Sequence, residues 1–162
     1  MQAAHLVDTN SVETVDLMGP TVQFLTAPEP RDDVPCVMRG TIPPGAIVPL
    51  HSHGDPETFL AISGELEGLS HSGDRFRWVE IHPGDVFHVP GGVKHAFRNL
   101  SPEPAVTIIA STRRIGSFFR EVGTTAGHSE EAARRFLEVS ERYGYWNATA
   151  EENAEVGLLL QP

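Results

Sequence analysis

At 162 residues, 40% hydrophobic and 21% charged, the chain has the length and composition of one folded domain, which excludes a disordered or fibrous protein. Twelve basic against 22 acidic residues give a formal charge of −10, a field that repels phosphate backbones and anionic lipid and argues against both as partners. The one cysteine, Cys36, excludes an internal disulfide, and its place in the apolar run VPCVM predicts a buried, inert thiol.

The amino-terminal stretch MQAAHLVDTNSVETVDLMG has neither a basic start nor an apolar run, so no secretory signal is expected. Apolar runs such as AVTIIA fall far short of the roughly 18 residues a membrane helix needs. A cytoplasmic protein is the expectation.

Prolines and glycines punctuate the first 112 residues at short intervals. Between them lie VETVDLM, TVQFLT, PCVMRGTI, AIVPLHSH, ETFLAISGELEGL, RFRWVEI, DVFHVP, KHAFRNL and AVTIIAST. Short runs rich in Val, Ile, Phe and Thr, broken by turn residues every eight to twelve positions, predict an all-β sandwich or barrel. The pattern changes after Arg114. One helix is predicted around IGSFFREVG and another across HSEEAARRFLEVSERYG, with Ser129 as N-cap and Gly144 at the end. Ala133, Phe136, Leu137, Ser140 and Tyr143 are its expected docking face. A third short helix is predicted in TAEENAEVGLLL. The parts are an N-terminal arm over 1–35, a barrel core over 36–112 and a helical appendage over 113–162, forming one structural domain.

Residues 51–57, HSHGDPE, crowd three metal-ligand side chains into seven positions. Residues two apart on a strand share a face, so His51 and His53 project together, with Cα atoms about 6.5 Å apart. That spacing lets two imidazoles converge on one ion. The Gly-Asp-Pro turn then brings Glu57 to the start of the next strand, and Gly45 and Gly64 stand where tight turns need no Cβ. Downstream, GDVFHVPGGVKHAFRN places His95 just after a Pro-Gly-Gly turn, as a candidate fourth ligand, with Asn99 able to bond to backbone.

Both stretches resemble the two signature motifs of the cupin superfamily, directly over roughly residues 40–100: the glycines, His-x-His, Glu, P-x-G, and the final His and Asn. Two complete motifs in the right order, nineteen residues apart, are far more specific than one His-x-His. The resemblance implies a jelly-roll barrel, a double-stranded β-helix with a short helical C-terminal appendage. It also implies one divalent transition metal (Fe, Mn, Ni, Co, Cu or Zn) held by His51, His53, Glu57 and His95. Three nitrogens and one oxygen do not choose among these ions. Four protein ligands on an octahedral ion leave room for water, substrate or dioxygen.

Alternation from the ligands predicts a lining of Ile47 and Pro49, of Phe59, Ala61 and Ser63, and of Phe97, with Phe76 and Trp78 either extending it or serving as barrel core. Such a cavity suits a small apolar or aromatic substrate with an oxygen that reaches the metal. Arg39, Arg113 and Arg114 are candidate anchors for an anionic substrate, with ordinary surface positions the commoner outcome. Tyr145 and Trp146 are expected to staple the long helix to the barrel in preference to capping its mouth. His88 has no assigned face, and His5, His71, His82 and His128 are expected to be solvated.

The favoured function is a metal-dependent dioxygenase acting on a small enolisable or aromatic substrate, similar to quercetinase-like cupins, with Glu57 a ligand or a general base. The rivals are a non-redox isomerase, lyase or decarboxylase and a small-molecule binding cupin without turnover. The resemblance further implies a homodimer, in which VETVDLM or TVQFLT adds to a partner's sheet edge.

Overall fold

Two antiparallel sheets face each other across a shared apolar interior, in a computed structural model that describes residues 4–26, 34–124 and 129–160. The strands are β1 (Thr14–Asp16), β2 (Thr21–Phe24), β3 (Cys36–Ile42), β4 (Ile47–Ser52), β5 (Glu57–Ser63), β6 (Leu66–Ser72), β7 (Arg75–Ile81), β8 (Val86–Val89), β9 (His95–Arg98), β10 (Ala105–Ser111) and β11 (Trp146–Asn147). The helices are α1 (Arg113–Val122), α2 (Glu130–Tyr143) and α3 (Ala150–Glu155). One sheet has six strands in the order β1-β2-β3-β10-β5-β8, the other five in the order β11-β4-β9-β6-β7. The all-β architecture with short C-terminal helices is as the sequence predicts. His128 lies outside the described residues. No described helix is long and apolar enough to cross a membrane.

Alternation builds the interior. Along β3, Cys36, Met38, Gly40 and Ile42 turn inward while Val37, Arg39 and Thr41 are only partly covered. Met38 is fully buried, and Phe24, Phe59, Ile109, Leu66, Ile81 and Phe97 join it from both sheets. Each such side chain contributes about 1.5–3 kcal/mol on leaving water. Cys36 is part of this core, and burial raises its thiol pKa, the inert state expected of it.

One strand departs from alternation. In the pairing of β4 with β9, Val48 faces Phe97 but His51 faces His95, so β4 carries one extra residue, a bulge at Pro49–Leu50. Proline cannot donate to the ladder, which is why the irregularity falls there. Val48 therefore packs on the main core, whereas Leu50 and Ile47 join a second apolar cluster on the other face of the sheet. That cluster, with Leu69, Ala96, Trp78, Trp146 and Leu158, anchors the chain beyond α3, and the Trp78 indole donates to the Val156 carbonyl at 2.8 Å.

The turns are fixed by side chains and by glycine. Asn99, fully buried, donates through Nδ2 to the carbonyls of Ile42 and Glu103 and accepts at Oδ1 from the Ser101 amide and hydroxyl. Gly64 has φ 74°, and a Cβ there would lie 2.3 Å from the Pro104 carbonyl oxygen, so no other residue fits. Ser129 and Gly144 cap α2 as predicted, Gly144 in the left-handed conformation at φ 67°. The docking face of α2 is rotated from the one expected. Ala132, Val139 and Ser140 are buried with Phe136 beside them, whereas Leu137 is 57% exposed.

Candidate metal centre

Both sheets contribute to one cluster. His51 and His95 are cross-strand partners on β4 and β9, a pairing that the β4 bulge makes possible. His53 lies just past β4, and Glu57 opens β5 in the opposite sheet. The two loops that carry the candidate ligands clasp each other. The Gly92 amide donates to the His53 carbonyl at 2.7 Å, and a Cβ on Gly91 would lie 2.3 Å from the Gly54 carbonyl oxygen. The Pro-Gly-Gly turn thus needs its first glycine for close approach and its second, at φ 82°, for its backbone shape.

The three imidazoles bring one ligand nitrogen each to within 4.8 Å of one another, and their ring centroids stand 4.2 to 5.5 Å apart. Glu57 Oε2 lies 3.3 Å from His53 Nε2 and 3.5 Å from His95 Nε2. His53, Glu57 and His95 are buried; His51 is the most accessible of the four.

The outward ring nitrogens decide the tautomers. Nδ1 of His51 meets the Pro49 carbonyl at 2.7 Å, that of His53 the Asp55 carbonyl at 2.8 Å, and that of His95 the Val93 carbonyl at 2.9 Å. A carbonyl oxygen only accepts, so each Nδ1 carries a proton, and a ring that holds no second proton turns the lone pair of Nε2 inward. Nε2 of His53 and of His95 are buried without a hydrogen-bond partner. Lone pairs facing one another and a carboxylate are costly in a dry site.

The electrostatics agree. Burial, reinforced by neighbouring His95 and His53, lowers the His51 pKa to about 3, so that ring keeps its lone pair at neutral pH. Burial works to raise Glu57, but contact with His53 and His95 outweighs it and brings its pKa to about 2. For His53 burial is again opposed and outweighed, by Glu57, and its pKa rises. An anionic Glu57, a His53 that attracts positive charge and a His51 that refuses a proton are all satisfied by one cation among them. The three-histidine cluster can bind a metal ion, and carbonyl-oriented imidazoles are the usual arrangement of histidine ligands.

Of the lining residues, Phe59, Ala61 and Phe97 are in the main core. Phe97 lies 6.1 Å from His95 and 4.7 Å from Phe59, centroid to centroid. Ile47 is not with them: the bulge turns it to the second cluster, and Pro49 is exposed. Trp78 belongs to that second cluster too, and Phe76 is 37% exposed, so neither extends the lining. Arg39 reaches Gln23, and Arg114 reaches Asp55. His88 is exposed, its Nδ1 at 2.9 Å from the Thr58 hydroxyl, and His71 stacks on Phe76. Tyr145 and Trp146 do dock the helical segment, but Tyr145 also reaches the site. Its ring is 5.1 Å from His53 and its hydroxyl donates to Asp55 at 2.7 Å. Sequence reasoning passed over Asp55; an acid inside the turn between two ligands was the available signal.

The family model described as the Cupin domain matches residues 38–111. No curated protein matches the chain significantly. Among solved structures, a predicted oxalate decarboxylase from Thermotoga maritima superposes with a TM-score of 0.55 at 23% identity, covering 67% of this chain and 98% of its own. A sugar phosphate isomerase from Silicibacter pomeroyi gives 0.56 at 23% identity over 67% of this chain and 75% of its own. The CENP-C cupin domain of Drosophila melanogaster gives 0.55 at 13% identity, covering 67% and 81%. Likeness at these identities shows the fold, and so varied a set of proteins leaves the chemistry to the site.

Proposed function

We propose that residues 38–111, which match the Cupin domain model, form a cupin domain in which His51, His53, His95 and Glu57 hold one divalent transition metal in a dioxygenase centre for a small enolisable or aromatic substrate. The observation that carries the metal is the pair of buried, unpartnered Nε2 atoms on His53 and His95, aimed at the Glu57 carboxylate. The aromatic neighbourhood of Phe59 and Phe97 supports the substrate class, since it suits a planar apolar body whose oxygen points to the imidazoles.

The ion, when bound, supplies Lewis acidity toward a substrate hydroxyl and a route for electrons to dioxygen. The chain does the rest. The Pro49, Asp55 and Val93 carbonyls fix the three ring directions in advance, so little reorganisation is needed on loading. Phe97 and Phe59, buried in the core beside the imidazoles, keep water from the inner side. Glu57 is a ligand first. With its pKa at about 2 it is a weak base, so it accepts a substrate proton only once its oxygen has parted from His53 and His95.

The test is oxygen uptake by protein loaded in turn with Fe(II), Mn(II), Ni(II) and Co(II), against a panel of flavonols and other enolisable aromatics. Uptake that requires both metal and substrate is the expected result. No uptake with metal verified as bound ends the oxygenase reading. Turnover that persists without oxygen in a Zn(II) or Mn(II) sample replaces it with isomerase, lyase or decarboxylase chemistry.

A further inference from the structure

Asp55 lies in the turn between His53 and Glu57, is only 6% exposed, and makes two kinds of contact at once. Its backbone carbonyl accepts from His53 Nδ1 at 2.8 Å. Its carboxylate accepts from the Thr112 hydroxyl at 2.5 Å, the Tyr145 hydroxyl at 2.7 Å and Arg114 Nη1 at 3.1 Å. All three donors lie beyond the matched cupin region, which ends at residue 111.

Each donor is itself held. The Thr112 hydroxyl caps α1 by accepting from the Ile115 amide. Arg114 also donates to the Tyr143 carbonyl and lies over the rings of Tyr143 and Tyr145. Tyr145 follows the left-handed Gly144 that ends α2, and its ring packs 4.8 Å from Phe118 of α1. Burial and then Asp55 raise the Tyr145 pKa, so its hydroxyl stays a donor at neutral pH. A histidine ring turns freely unless its second nitrogen is tied, and the tie is only as firm as the carbonyl that accepts it. Gly54 precedes that carbonyl in the turn, and the carboxylate of Asp55 is bonded to the helical segment.

We infer that Asp55 is a positioning residue of the metal centre, and that Thr112, Arg114 and Tyr145 hold it so that the C-terminal helices set the orientation of His53 and with it the affinity for the ion. The inference rests on the metal reading above and adds to it a part of the chain outside the cupin region. Asp55 does not touch the ion or the substrate; it acts through the His53 ring.

The experiment titrates the full chain with Co(II) and Zn(II) against a chromophoric chelator and records the visible absorption of the Co(II) form. Tyr145→Phe, which removes one hydroxyl, is expected to weaken binding about 10-fold and to shift the Co(II) bands. Asp55→Ala is expected to weaken it about 100-fold, Asp55→Asn to recover only part of that loss because its amide nitrogen cannot accept, and Arg134→Ala, at an exposed position on α2, to match the wild type. If Asp55→Ala fails to fold, Tyr145→Phe carries the test alone. Wild-type affinity and an unchanged Co(II) spectrum in Tyr145→Phe overturn the inference while the metal reading stands. A wild-type chain that binds neither ion overturns both.

Discussion

His95→Ala is expected to lower affinity for a divalent transition metal by at least 100-fold, beyond the roughly 10–100-fold typical of losing a group that only orients a ligand. His95 is 1% exposed and faces His51 across the β4–β9 ladder. Its Nε2 stands 3.5 Å from Glu57 and has no hydrogen-bond partner. It is the one imidazole of the cluster supplied by β9, so its loss leaves only the adjoining pair His51 and His53 with Glu57. Elemental analysis after dialysis and metal-linked thermal shift read the effect by independent routes. A ligand that binds only the folded state raises stability by mass action, so the wild type melts higher with metal than without it, and in His95→Ala that gap closes. Stoichiometric metal in the dialysed variant would contradict the assignment.

Asn99→Ala is expected to cost about 2–4 kcal/mol of folding stability while leaving the ligands themselves intact. The Asn99 side chain bonds to the Ile42 and Glu103 carbonyls and to the Ser101 amide and hydroxyl. Its own backbone exchanges bonds with Gly45 and Ala46. Alanine removes the buried bond to the Ile42 carbonyl and three partly buried ones to Ser101 and Glu103. Asn99→Asp is no rescue, because the two carbonyls need a donor that a carboxylate lacks. Urea denaturation of metal-free protein measures the cost through the midpoint, with the slope unchanged. A midpoint within error of the wild type would refute this account of Asn99.

What the sequence reveals and what it hides divide along the distance over which the determining forces act. Short β-prone runs between glycines and prolines mark the strands, and Ser129 with Gly144 marks α2, because turns and caps are local chemistry. The candidate ligand set is legible for a similar reason: His51, His53 and Glu57 are neighbours in the chain, and His95 follows a turn that can be recognised. The bulge in β4 is not legible, since it arises where Pro49 meets the demands of β9, and it sends Ile47 to the wrong side for a lining residue. The face of α2 is displaced because tertiary packing chooses Val139 and Ala132 over Leu137 among residues of similar spacing. Asp55 and Tyr145, ninety positions apart in the chain, meet only in the folded molecule.

The clasp between Gly92 and His53, and the near contact of Gly91 with Gly54, bear on the order of events when the chain folds. A transition state that has yet to close these loops offers an ion a few scattered imidazoles and no enclosure. An ion held by this cluster would on that account recognise a late arrangement, and is expected to retard escape from the finished barrel more than it hastens arrival there. Refolding in stopped flow would proceed at nearly the same rate with or without cobalt, whereas the unfolding limb would drop as cobalt is added. A refolding rate that climbs with cobalt would mean that the two loops meet early.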